Sequence, residues 1–138
     1  MMITIETQPA KEDYDIVNKG LDQFNQKYVD SEYFQALNVF ARDESGQIIG
    51  GLLGGTFWRW LHIEVLWVAD TCRGQGIGQK LMAAAEQEAA RRGCLHAQLE
   101  THEFQAPAFY QKLGYRVFGE LDDFPPGHKK YFLVKDGL

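Results

Sequence analysis

Residues 60–93 read WLHIEVLWVADTCRGQGIGQKLMAAAEQEAARRG, and this stretch decides the fold. Its first ten residues are aromatic, β-branched and apolar with a few polar insertions, the composition of a strand. RGQGIG, residues 73–78, follows, with three glycines at alternate positions behind an arginine. Ile77, Leu81, Ala85 and Ala89 then recur at four-residue steps, one face of a helix, with Lys80, Gln87 and Arg91 off it. Glu88 is placed to support Arg92 one turn on, and Gly93 is a natural helix stop. The loop therefore feeds a helix whose first turn has unsatisfied N–H groups and a partial positive charge. Glycines let the loop turn its amides toward one point without Cβ atoms in the way. Arg73 adds a fixed positive charge at the mouth, so the expected ligand is a phosphate or pyrophosphate.

Working outward, MITIET (residues 2–7) alternates like a first strand. Tyr14, Val17, Leu21, Phe24 and Tyr28 recur at three- and four-residue steps and predict one or two amphipathic helices between Lys11 and Tyr33. ALNVFARD (36–43) and QIIGGLLGGTFW (47–58) read as strands around the turn residues DESG. The glycines of the second signal bulges or close backbone approach. Beyond Gly93, LHAQLET (95–101) is a strand, QAPAFYQKLG (105–114) a short helix ended by Gly114, and YRVFGEL (115–121) a strand. FPPG (124–127) turns into the last strand, KKYFLVK (129–135). The order β-α-α-β-β-β-α-β-α-β-β is an α/β chain with a mixed sheet and helices on its faces.

At 138 residues without a linker or repeat, the chain is expected to form one domain, residues 1–138. Its net charge of −5 argues against a nucleic-acid partner, so any anion must be held locally. The N-terminal stretch lacks the basic and apolar regions of a signal peptide, and no apolar run suits a membrane span. Cys72 and Cys94 are too few for a disulfide framework and have no metal-type spacing. These features predict a cytoplasmic protein with no metal site.

Two nucleotide motifs fail here. The triphosphate loop needs Lys-Ser or Lys-Thr after its last glycine, whereas Gln79, Lys80 and Leu81 follow Gly78. The dinucleotide fingerprint counted from Gly74 needs glycine at position 79, and Gln79 stands there. R-x-x-G-x-G, read as Arg73, Gly76 and Gly78 after LWVADTC, resembles the acetyl-CoA loop of the GCN5-related N-acetyltransferase (GNAT) superfamily. QAPAFYQKLGY (105–115) is similar to that family's second signature, and the element order agrees over nearly the whole chain.

The resemblance implies the GNAT fold and acetyl transfer from acetyl-CoA, as co-substrate, to a primary amine. It implies that backbone amides from Arg73 through Gly74, Gln75, Gly76 and Ile77 to Gly78 cradle the CoA pyrophosphate. The main chain of Leu66, Trp67 and Val68 would pair with the pantetheine arm as an added strand does. In the family that strand usually carries a bulge, which admits the cofactor. Gln105 stands where the family often has Asn, and Ala106 should lie against the cofactor.

Transfer to an amine needs a base, donors for the oxyanion and an acid for the leaving thiolate. The family match makes Tyr110 the acid; the alternative is a core tyrosine beside Phe109 and Leu113. His62 and Glu64 occupy positions from which the family recruits a base, and on a strand they share a face unless a bulge intervenes. Histidine suits the role near neutral pH; glutamate reaches it when apolar neighbours disfavour its charge. Otherwise His62 is a sheet histidine and Glu64 a recognition carboxylate. The oxyanion donor would be a backbone N–H near Val68. By parity with Leu61, Ile63 and Val65, Trp67 is expected in the core, while Trp58 and Trp60 either line the acceptor pocket or cover the sheet. The segment Phe124–Tyr131 reads as a solvated turn or an acceptor-side flap. A homodimer is compatible with the family. The competing function is a non-catalytic acyl-CoA sensor of the same fold.

Overall fold

A left-handed pair of residues makes the tightest turn in the sheet. In the computed structural model, which describes residues 1–30 and 33–138, β2 (Ile48–Phe57) returns as β3 (Trp60–Val68) through Trp58 and Arg59. Both have positive φ, 48° and 64°, as a two-residue hairpin turn with the twist of its strands requires. The turn before β2 is built differently. Asp43 accepts hydrogen bonds from Ser45 N, Ser45 Oγ and Gln47 N, which close the loop after β1 (Gln35–Arg42). The Ser45 hydroxyl, first among these donors, lowers the Asp43 pKa.

Two units divide the chain, Met1–Tyr33 and Phe34–Leu138. In the first, α1 (Lys11–Asn25) opens with Glu12 and Asp13, carboxylates that suit the positive helix start. MITIET forms no strand, contrary to its alternation; Ile3 and Ile5 are 80% and 98% exposed. A strand needs a partner for its backbone groups, and the described residues of this unit contain no other.

The second unit holds the sheet, ordered β1-β2-β3-β4-β6-β5. β4 is His96–His102, β5 Arg116–Leu121 and β6 Lys130–Asp136. Among the described residues only β3 and β4 pair in parallel. They are joined by α2 (Ile77–Arg91), which buries Leu81, Met82, Ala85 and Ala89 against Leu52, Leu61, Ile63, Leu99 and Leu133. The alanines let the helix approach the sheet closely, and α3 (Pro107–Lys112) adds Tyr110 to the same core. Glu88 is gripped by Arg91 and Arg92, which hold its carboxyl down at about 2. Gly93, at φ 89°, ends the run as its position after the last helical turn predicts.

One irregularity governs the site. Leu53 pairs with Val65 and Gly54 with Ile63, so Glu64 is an extra residue in β3. A Cβ on Gly54 would lie 2.3 Å from the His62 carbonyl oxygen, so the backbones meet here only because residue 54 is glycine. The bulge repeats an outward position. Leu61 and Ile63 face α2, yet Val65 and Trp67 are 45% and 50% exposed, and Leu66 and Val68 turn inward instead. The expectation that Val65 and Trp67 belong to the core is therefore corrected: strict alternation fails once one residue is inserted.

Candidate active site

Downstream of the bulge, β3 leaves its parallel neighbour. The pairing of β3 with β4 runs from Trp60–His96 to Ile63–Leu99. β4 continues to His102 along β6 alone. A wedge thus opens between residues 64–68 and 100–102. The hydrogen-bond alternation sets what faces it. Ala69 N donates to Ile49 O at 2.8 Å, so in this antiparallel register Trp67 exchanges bonds with Gly51, while Leu66 and Val68 point theirs toward the wedge. Leu66 and Val68 are the free rungs of the Leu66–Trp67–Val68 strip.

The glycine loop lies at the end of the same strand. Gly74 and Gly76 have φ of 78° and 77°, and no heavy atom stands within 4 Å of where their Cβ atoms would be. The first bond inside α2 runs from Lys80 N to Gly76 O, leaving the N–H groups of Ile77, Gly78 and Gln79 unpartnered within the helix. Open space in front of orphan amides is what a bound anion fills. Arg73 is tied down by Asp70 (3.0 Å) and by the Val68 carbonyl (3.3 Å), so it fixes the loop to the strand as well as adding charge. Gly78 makes room for Phe109, whose ring carbon would sit 3.3 Å from an added Cβ.

Tyr110 projects from α3 on the α2 side of the sheet. Its ring is 9% exposed and packs edge-on against Phe109 and Tyr115. Its hydroxyl takes no partner among the described residues, and no buried polar side-chain atom among them is left unsatisfied, so the oxygen opens to solvent. Burial raises its pKa, which keeps the phenol protonated. Tyr115 differs: its hydroxyl reaches Glu86 at 3.4 Å, and Glu86 also holds Lys135.

On the opposite face lie His62, half-buried, and Glu64, exposed in the bulge; the bulge leaves them on one side, because it repeats the outward position after Glu64. Gln98, Glu100 and His102 share that face, since they alternate with buried Ala97, Leu99 and Thr101, and Gln98 is opposite His62. The sequence reading missed Glu100 and His102. The alternation of HAQLETH carried the signal, but only pairing with β3 shows which face it serves. Glu100 binds Lys130 at 2.7 Å.

Gln105 and Ala106 end the 3-10 turn after β4. The Gln105 carbonyl oxygen accepts from His102 N at 3.1 Å and meets the Thr101 hydroxyl at 3.4 Å. That end of the amide is used by its own turn, leaving the NH2 end for a ligand. Ala106 has φ 64°, a left-handed conformation rare for alanine. Trp60 stacks on His96, which binds Asp136. Trp58 lies against Phe57 in the hairpin turn, the two rings tilted by 36°. Both tryptophans sit at the end of β3 away from the wedge and cover the sheet. Phe124–Tyr131 is more than a solvated turn: it is sewn to the 3-10 turn by His102 Nδ1 donating to Phe124 O (2.8 Å), Glu103 N to Lys129 O (3.0 Å) and His128 to Glu103 (2.8 Å). No group of three metal-ligating side chains occurs among the described residues, nor a helix long and apolar enough to cross a membrane.

The chain is similar to known proteins over most of its length. The model of the acetyltransferase (GNAT) family matches residues 4–115. The chain is 46% identical over 99 residues to blasticidin-S acetyltransferase of Streptomyces morookaense, covering 71% of this chain and 73% of that one. It is 37% identical over 99 residues to an acetyltransferase of Agrobacterium fabrum strain C58, covering 72% of each. Among solved structures, an acetyltransferase from Bacillus cereus ATCC 14579 superposes with a TM-score of 0.86 at 29% identity, over 96% of this chain and 97% of that one.

Proposed function

The chain belongs to the GNAT acetyltransferase family and is an acetyltransferase; from that premise we propose that it moves an acetyl group from acetyl-CoA to a small-molecule primary amine by direct attack in a ternary complex. One observation carries the reading: the β3–β4 wedge has the glycine loop at its end, a free tyrosine hydroxyl on one face and His62 with Glu64 on the other. A non-catalytic sensor has no use for an acid and a base on opposite sides of such a wedge.

Acetyl-CoA, when bound, supplies an activated acyl group on a thiol that leaves. Residues 73–78 would hold its pyrophosphate on backbone amides, and Leu66 and Val68 would bond its arm as a strand neighbour does. The Val68 N–H, turned to the wedge, would donate to the acyl oxygen as negative charge develops there. Tyr110 would protonate the departing sulfur from the α2 side, and Ala106 would give the arm room. Glu64 is our first choice of base, directly or through water, with His62 second; either would take the ammonium proton from the opposite face. The relative named for blasticidin S supports an acceptor of small-molecule size.

The placement is tested by Gly76→Asp, which puts a negative charge in the open space before the loop amides. CoA affinity by calorimetry should fall about tenfold or more, the size of one lost charge-assisted contact. Unchanged affinity sinks the placement. For the base, Glu64→Gln should slow thiol release mainly below the acceptor's own pKa and recover above it, as free amine accumulates. A pH profile like wild type's would pass the role to His62 or water.

A further inference from the structure

An open cavity of about 550 Å³ lies against the C-terminal end of β4, lined by His102, Phe104, Gln105, Asp123, Phe124 and Pro125. His102 faces away from the α2 side, because its neighbour Thr101 is buried toward the core. The cavity is therefore across the sheet from the glycine loop, yet it touches the proposed cofactor wedge through Gln105. We propose that this cavity is the acceptor site and that it takes a singly charged ammonium carried on an apolar, ring-sized body. The inference rests on the acetyl-transfer reading and names the substrate class within it.

The walls supply the apolar part. His102 lies parallel to Phe104 (5.4 Å between centroids, 6° between planes) and stacks on Phe124 (5.8 Å, 23°). His128 meets Phe104 edge-on. These rings are already held by one another and by the hydrogen bonds that sew the loop to the 3-10 turn, so little order is lost on binding. A volume of this size suits a drug-sized body rather than a thin chain.

Charge supplies the rest. Among the six lining residues Asp123 is the one carboxylate. The nearby charges are paired: Lys130 with Glu100 (2.7 Å), Lys129 with Asp122 (3.2 Å) and Glu120 (3.5 Å), His128 with Glu103 (2.8 Å). Asp123 has no ion pair among the described residues; its carboxylate accepts only a long 3.4 Å hydrogen bond from Gly127 N. Its φ of 56° is the left-handed conformation that aspartate and asparagine adopt more readily than other side-chain-bearing residues. The His102 ring is used by its own turn, meeting the Phe124 carbonyl through Nδ1 and capping the Gln105 backbone N–H, so it serves as a wall and Asp123 is the polar anchor. One carboxylate anchors one ammonium. A polyamine would bring further ammoniums beside Lys130, whose Nζ already lies 4.2 Å from the Phe124 ring centroid, and an acidic acceptor would meet Asp123.

The test uses the full chain saturated with CoA and follows backbone amide signals by NMR. The probes are 2-phenylethylamine, spermidine and 3-phenylpropionate, which keeps the ring and reverses the charge. We expect 2-phenylethylamine to shift the amides of His102, Phe104, Gln105, Asp123 and Phe124. Asp123→Asn, which tolerates the left-handed backbone, should weaken that binding about tenfold, and Phe104→Ala, at an exposed position, should weaken it severalfold. Equal shifts with 3-phenylpropionate, shifts confined to other residues, or Asp123→Asn binding as wild type would overturn the assignment. With acetyl-CoA, kcat/KM for 2-phenylethylamine should exceed that for spermidine by about tenfold. Cavity binding without acetyl transfer to any amine would refute the transfer reading and keep the amine site. Rapid spermidine acetylation with no cavity shifts would refute the site and keep the transfer reading.

Discussion

Tyr110→Phe is expected to lower kcat by about 10²–10⁴-fold, the usual loss of a general acid. That corresponds to roughly 3–5 kcal/mol of transition-state stabilisation. The unfolding temperature and CoA affinity should stay near wild type, because the substitution keeps the buried ring. The hydroxyl it removes bonds no protein group among the described residues, so no orphaned partner is created. Burial raises the phenol above its ordinary value of 10.0, so the proton needed for donation is present throughout the neutral range. The linked stability has the opposite limb: it is complete below pH 10.0 and falls only as the unfolded tyrosine ionises above it. Tyr115→Phe is the control. It breaks the contact with Glu86, which should cost on the order of 1 kcal/mol of stability with kcat nearly intact. Thiol-release kinetics and thermal unfolding on the two variants decide the matter; a Tyr110→Phe enzyme that turns over normally assigns that ring to packing alone.

Gly54→Ala is expected to damage both stability and cofactor binding. The new Cβ would stand 2.3 Å from the His62 carbonyl oxygen and 3.3 Å from the Ile63 Cα, both backbone atoms that cannot rotate away. Forcing β2 and β3 apart should cost about 1–3 kcal/mol and lower Tm by roughly 4–12 °C. The bulge at Glu64 is held at this contact, and the bulge turns Leu66 and Val68 toward the wedge. CoA affinity measured well below the new Tm should therefore fall as well. Wild-type affinity in a merely less stable variant would detach the cofactor wedge from the bulge.

The strand, loop and helix of residues 60–93 were legible because their causes are local. Helical periodicity, glycine's access to positive φ and the orphan amides of a helix start all act within a few residues. The bounds of α2, the stop at Gly93 and the Glu88–Arg92 support follow from such rules. The expected anion loop and the tyrosine proposed as the acid on α3 could be named from motifs for the same reason.

What tertiary structure alone decided depends on partners distant in sequence. MITIET has a strand's alternation, but alternation states a preference and a strand also needs a neighbour. Trp67 left the core because Gly54 permits an extra residue in β3, and the parity of everything after Glu64 reversed. That insertion is invisible in WLHIEVLW, since its cause is a backbone contact across the hairpin. Glu100 and His102 joined the face of His62 only once β4 paired with β3. Asp123 and Phe124 reached His102 only once β5 and β6 turned back beside it. Local chemistry in the sequence determined which backbone turns its amides toward open space and which tyrosine the family motif offers as an acid; long-range packing decided which side chains line the cavity proposed for the amine, because register and loop closure are energies of pairs that the chain brings together only by folding.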